Sequence, residues 1–182
     1  CRFTDCTSDV GGAVWADEAS ILHLDACTLT DNHTIMGGGG AVMLDHPGAG
    51  TLLEDCTFDS NAAAYGGAVQ IQNGQSTTLD GCLFSNNSAS AAFYGGGSIV
   101  AGNTTDLWIT GCTFTGNTSP FGGAVSLKDC TGTAIENTAF DGNHVSSSQS
   151  GFACDTSAKL VRAVGGGLFI DGLYRDNALA TA

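Results

Sequence analysis

Two short patterns alternate along this chain, and their alternation constrains the fold more than any other feature. The first, C-x-F-x-x-N, spans Cys56–Asn61, Cys82–Asn87 and Cys112–Asn117. Variants of it start at Cys1, Cys27 (with Leu29 for Phe) and Thr138. The aromatic position falls at residues 3, 29, 58, 84, 114 and 140, giving spacings of 26, 29, 26, 30 and 26. The second pattern, G-G-A-V, follows each first one at Gly11, Gly39, Gly66, Gly96 and Gly122. A last copy at Gly165 comes after an insertion near residues 145–163. Two-part units repeated at this period are the signature of a solenoid, in which each unit buries its apolar face only against its neighbours.

The choice of solenoid follows from periodicity. Glycine in every unit weakens helical repeats. After each glycine pair, Val14, Val42, Val69, Ile99, Val125 and Leu168 form one apolar column, and Ala16, Leu44, Ile71, Ala101, Leu127 and Ile170 form another two residues on. Trp15, Met43, Gln70, Val100, Ser126 and Phe169 lie between them and are expected on an outward face. A period of two means strand. Leu24, Leu53, Leu79, Ile109 and Ile135 stand three residues before the Cys/Thr position, an odd spacing that implies a bend, with Gly81 and Gly111 at the joint. Each unit is therefore expected to hold about three short strands. The whole chain, residues 1–182, is expected to be one all-β domain, a parallel β-helix of about six coils of 26–30 residues.

In-register coils about 4.8 Å apart place like residues above one another. Phe58, Phe84, Phe114 and Phe140 then continue Phe3 and Leu29 as an interior stack, and Asn61, Asn87, Asn117 and Asn143 continue Asn32 as an amide ladder at a turn. With these residues in view, the sequence resembles the polymorphic outer membrane protein repeats, whose signatures are G-G-A-[ILV] and F-x-x-N. The resemblance covers nearly the whole chain and implies a right-handed helix of the pectin-lyase-like type, found in surface-displayed and secreted proteins that are often adhesins. The column of Cys1, Cys27, Cys56, Cys82 and Cys112 is an elaboration that neither signature requires.

Composition narrows the function. Five basic against 18 acidic residues give a net charge of −13. So few bases cannot neutralise a nucleic acid, and an anionic membrane would repel the chain. No apolar run is long enough to span a bilayer. The cysteine column reads as small buried hydrophobes, while Cys130 and Cys154 fall outside it and are the candidate disulfide, tethering the insertion in an oxidising compartment. Absent C-x-x-C pairs and ligand-spaced histidines argue against zinc, and no cofactor is expected. Asp25, Glu54, Asp80 and Glu136, with Thr110 between the last two, form an outward acidic file. It reads as a solvated face, with Ca²⁺ capture by its hard oxygens as the sharper alternative. The sequons begin at Asn32, Asn86, Asn103 and Asn117, and Asn103 is the glycosylation candidate because it sits in the turn Gly102-Asn-Thr-Thr.

The expected role is a non-enzymatic extracellular or cell-surface module, a stiff spacer or adhesive stalk cut from a longer solenoid. Its expected partners are further coils or chains at open ends, and glycans. The alternatives are a polysaccharide lyase or hydrolase, and Ca²⁺-dependent binding of a glycan or partner on the acidic file. No base among Arg2, Lys128, Lys159, Arg162 and Arg175 repeats beside an acidic pair, so no catalytic residue is assigned.

Overall fold

The computed structural model describes residues 1–91 and 95–146, together with the strands Ala163–Val164 and Leu168–Asp171. The chain winds as a parallel β-helix of about five turns, and every element among the described residues is a strand. Each turn visits four sheets. The first stacks Arg2–Thr4, Thr28–Thr30, Thr57–Asp59, Leu83–Ser85, Thr113–Thr115, Thr138–Asp141 and Ala163–Val164. The second holds two-residue strands, from Thr7–Ser8 and His33–Thr34 to His144–Val145. The third runs from Val14–Asp17 through Val42–Asp45, Val69–Gln72, Ile99–Gly102 and Val125–Lys128 to Leu168–Asp171. The fourth contains His23–Asp25, Leu52–Glu54, Gln75–Asp80, Thr105–Thr110 and Ala134–Glu136.

Register matches the sequence columns. Leu29, Phe58, Phe84, Phe114 and Phe140 pair in succession, as do Val42, Val69, Ile99, Val125 and Leu168. Three-residue strands suffice because only the central side chain of each points inward, and their backbone groups pair with the coils above and below. The Phe58, Phe84, Phe114 and Phe140 rings stack nearly parallel, with centroids 4.7, 4.7 and 4.9 Å apart. That separation is the strand spacing itself, which makes the rings a continuous column.

Four strands per coil replace the expected three. The additional one follows each ladder asparagine and is too short to leave a period-two signature. A second difference concerns the outward column of the third sheet. Met43, Val100 and Ser126 are buried there, while Trp15 is 60% exposed. The glycine corner of the preceding coil folds across the column: a Cβ on Gly66 would stand 3.0 Å from Val100 Cγ1, and one on Gly11 3.1 Å from Met43 Cβ.

Most corners of the coil carry a residue in the left-handed region. Between the first and second sheets these are Asp5, Asp31, Ser60, Asn86, Gly116 and Gly142; between the third and fourth they include His46, Asn73, Asn103 and Asp129. Between the fourth and first they are Ala26, Asp55, Gly81, Gly111 and Asn137. Asn, Asp and Gly enter this region most readily. The glycine pair has two separate uses. Gly39 adopts φ 67°, whereas Gly40 is required by close approach, since a Cβ there would overlap the carbonyl oxygen of Gly67 one coil on.

Candidate functional site

Among the described residues the interior is filled by packed apolar side chains and a ladder of buried asparagines. Asn32, Asn61, Asn87 and Asn117 are fully buried. Asn61 shows the pattern: its Nδ2 donates to Leu29 O at 2.9 Å and to Asn87 Oδ1 at 3.0 Å, and its backbone N–H donates to the same Asn87 oxygen at 2.9 Å. Asn117 repeats it, donating to Phe84 O and Asn143 Oδ1. The expected amide ladder is thus continuous through Asn143.

Cys27, Cys56, Cys82 and Cys112 are buried free thiols in the first corner of that interior. Their S–H groups donate to backbone carbonyls, Cys82 to Leu53 O at 3.3 Å and Cys56 to Glu54 O at 3.1 Å. The Cys112 thiol lying against Cys82, followed by burial, pushes the Cys82 pKa up to about 12. Cys56 is raised further, chiefly by the neighbouring Cys82 thiol and by burial. The raised pKa keeps the Cys56 and Cys82 thiols protonated at neutral pH. Cys130 also carries a free, buried thiol, hydrogen-bonded to Ala101 O and Lys128 O and raised in pKa by burial. Its expected disulfide partner, Cys154, lies outside the described residues.

On the fourth sheet, Asp25, Glu54, Asp80, Thr110 and Glu136 stand in one register file facing outward. His23 Nε2 lies 3.7 Å from Glu54. Among the described residues no three His, Cys, Asp or Glu side chains gather at metal-holding distance. The acidic file and its register are as read from the sequence, but its carboxylates line up and do not converge.

Two concavities were not legible in the sequence. Beside the acidic file, Trp108 stands between the short side chains Thr78 and Ala134 in register, opening a shallow pocket of about 340 Å³ that Thr110 and Glu136 also line. On the third sheet, a groove of about 330 Å³ is bordered by Tyr65, Gln70, Gln72, Asn103, Lys128 and Asp129. Gly102 floors it, because that column runs Gln72, Gly102, Lys128 and loses its side chain in the middle. A glycine gap in an outward column is the signal that marks such a groove, and it shows only once the register is known.

At the corners, Asp59 accepts hydrogen bonds from Ser85 Oγ at 2.5 Å and Asn86 Nδ2 at 3.0 Å. The Ser85 hydroxyl in particular holds the Asp59 carboxyl below its ordinary range. Asn103, the glycosylation candidate, is exposed and donates weakly to Asn73 Oδ1 at 3.4 Å.

Comparison with known proteins agrees with this geometry. The family described as "right handed beta helix region" matches residues 1–105 and 46–162, and its hand agrees with the one expected from sequence. The chain is 27% identical over 150 residues to "Metabotropic glutamate receptor-like protein R" of Dictyostelium discoideum, a match covering 79% of this chain and 9% of that protein. No solved structure matches.

Proposed function

We propose that this chain, which belongs to the right-handed β-helix region family, is a non-enzymatic extracellular module, a stiff spacer or adhesive stalk of a larger surface protein. The observation that carries this reading is the continuity of the interior ladders. Phe stacking, Asn-to-Asn hydrogen bonds and the thiol column each run through successive coils without a break. A coil cannot slip or hinge without disrupting all three at once, so the element resists bending. The acidic exterior, net −13 for the chain, opposes lateral association of such rods. The relative's name is that of a receptor-like protein, and the match occupies a small share of it, which favours a module in a large surface protein.

Small-angle scattering of the chain, with adhesion of beads carrying it to cell and glycan surfaces, tests the proposal. A rigid rod profile with or without adhesion supports it, and a flexible-chain profile refutes it. Turnover of an acidic polysaccharide, with or without Ca²⁺, would replace it with the lyase or hydrolase reading. Saturable Ca²⁺ uptake in calorimetry, lost when Asp80→Ala is combined with Glu54→Ala, would replace it with cation-dependent binding.

A further inference from the structure

Four sequons occur in the chain, and folding divides them into two pairs. In Asn32-His-Thr34 and Asn117-Thr-Ser119 the asparagine and the hydroxyl residue are all buried, none more than 1% exposed. Both asparagines have their amide hydrogens committed: Asn32 Nδ2 to Phe3 O and Asn61 Oδ1, Asn117 Nδ2 to Phe84 O and Asn143 Oδ1. In Asn86-Asn-Ser88 and Asn103-Thr-Thr105 the asparagine and the hydroxyl residue are all exposed. Asn86 and Asn103 also occupy left-handed corners, φ 54° and 50°, which project the side chain away from the flat sheets.

Both open corners have room beside them. The register equivalent of Asn86 in the next coil is Gly116, whose missing Cβ leaves the space open, since one there would stand only 3.0 Å from Asn86 Oδ1. Asn103 stands on the rim of the groove floored by Gly102. The two asparagines lie on one circuit of the helix, one at the corner between the first and second sheets and the other at the corner between the third and fourth.

We propose that Asn86 and Asn103 are N-glycosylation sites, and that the folded protein carries no glycan at Asn32 or Asn117. This rests on the extracellular reading above. The donor is a lipid-diphosphate-linked oligosaccharide. Asn Nδ2 forms a bond to its anomeric carbon, the bond from that carbon to the diphosphate oxygen breaks, the amide releases one proton, and the lipid diphosphate departs without change of oxidation state. A glycan on Asn32 or Asn117 would remove a ladder hydrogen and wedge a sugar between coils about 4.8 Å apart, so a chain modified there cannot close. The two permitted glycans would stand at the corners that bracket the second and third sheets.

The test is secretion of the full chain from a eukaryotic host, followed by intact mass and peptide mapping after enzymatic deglycosylation in heavy-oxygen water. The expected result is two glycans, with isotope-marked deamidation at Asn86 and Asn103. Asn86→Gln and Asn103→Gln should each remove one glycan, and Ser88→Ala and Thr105→Ala, which keep the asparagines, should do the same. Folded, secreted protein lacking a glycan at either position, or carrying one at Asn32 or Asn117, overturns the inference. Adhesion or rod-like scattering of an unmodified chain would leave the functional reading standing while sinking this one; glycans on a flexible chain would do the reverse.

Discussion

Asn87→Ala is the sharpest probe of what holds the coils together. The side chain is fully buried and makes four hydrogen bonds. It accepts from Asn61 N and Asn61 Nδ2 at 2.9 and 3.0 Å, and it donates to Phe58 O and Asn117 Oδ1, both at 3.0 Å. At a net worth of about 1 kcal/mol each, the bonds account for roughly 4 kcal/mol. Stranding the buried Asn61 donors adds more, since an unpaired buried polar group costs about 1–3 kcal/mol. The expected loss is therefore roughly 5–7 kcal/mol, read as a fall in urea midpoint followed by circular dichroism. Asn86→Ala, one residue away and exposed but at φ 54°, should cost only the roughly 1–2 kcal/mol of placing alanine in a left-handed corner. Asn87→Asp separates hydrogen bonding from volume. An ionised carboxylate accepts from Asn61 but faces Phe58 O and Asn117 Oδ1 without a hydrogen, so its pKa rises on folding. Its stability is then retained at low pH and lost as pH rises through the folded pKa. An Asn87→Ala cost under about 1.5 kcal/mol, or an Asn87→Asp variant indifferent to pH, would refute the reasoning.

Four further outcomes follow from the same interior. Ser98 stands where the other described glycine-pair motifs carry Ala13, Ala41, Ala68 and Ala124, and its buried Oγ has no partner; Ser98→Ala should stabilise by about 1–2 kcal/mol in chemical denaturation. Phe84 is fully buried between two rings at 4.7 Å, and Phe84→Ala should cost about 3–5 kcal/mol by the same assay. The thiols of Cys56, Cys82 and Cys112 should resist alkylation until the chain unfolds. Because the Cys82 pKa is raised on folding from 9.0 to about 12, the unfolded chain loses its thiol protons first. Stability should accordingly fall as pH climbs from about 9 towards 12, and Cys82→Ala should flatten that decline.

The columns were readable from sequence because a solenoid gives corresponding residues of successive coils nearly the same surroundings. Phe58, Phe84 and Phe114 announce one stack, and Asn61, Asn87 and Asn117 one ladder, before any coordinates are seen. What escaped was local or collective. The second sheet consists of pairs such as Ala62–Ala63, too short for alternation to register. Left-handed corners at Asp31, Ser60 and Ala26 carry no single residue type, so only the glycine corners drew notice. Burial of Met43, Val100 and Ser126 depends on a neighbouring coil's backbone folding over them, which no period within one strand encodes. The groove at Gly102 and the Trp108 pocket arise where an outward column changes side-chain size, a property of register between coils.

The acidic file can be weighed in the same terms. Two carboxylates one coil apart, about 4.8 Å, repel by roughly 0.9 kcal/mol in water, and salt lowers this further. Exposed Asp and Glu side chains can splay to lengthen the distance, His23 lies beside Glu54, and Thr110 interrupts the run between Asp80 and Glu136. The repulsion left over is small against a single buried asparagine of the ladder, whose removal is expected to cost several kcal/mol. The file can therefore persist on the strength of the interior alone, with no bound cation needed to neutralise it. On the proposed reading its effect is outward: the acidic positions keep one face of the helix charged and hydrated, which opposes side-by-side packing of such modules.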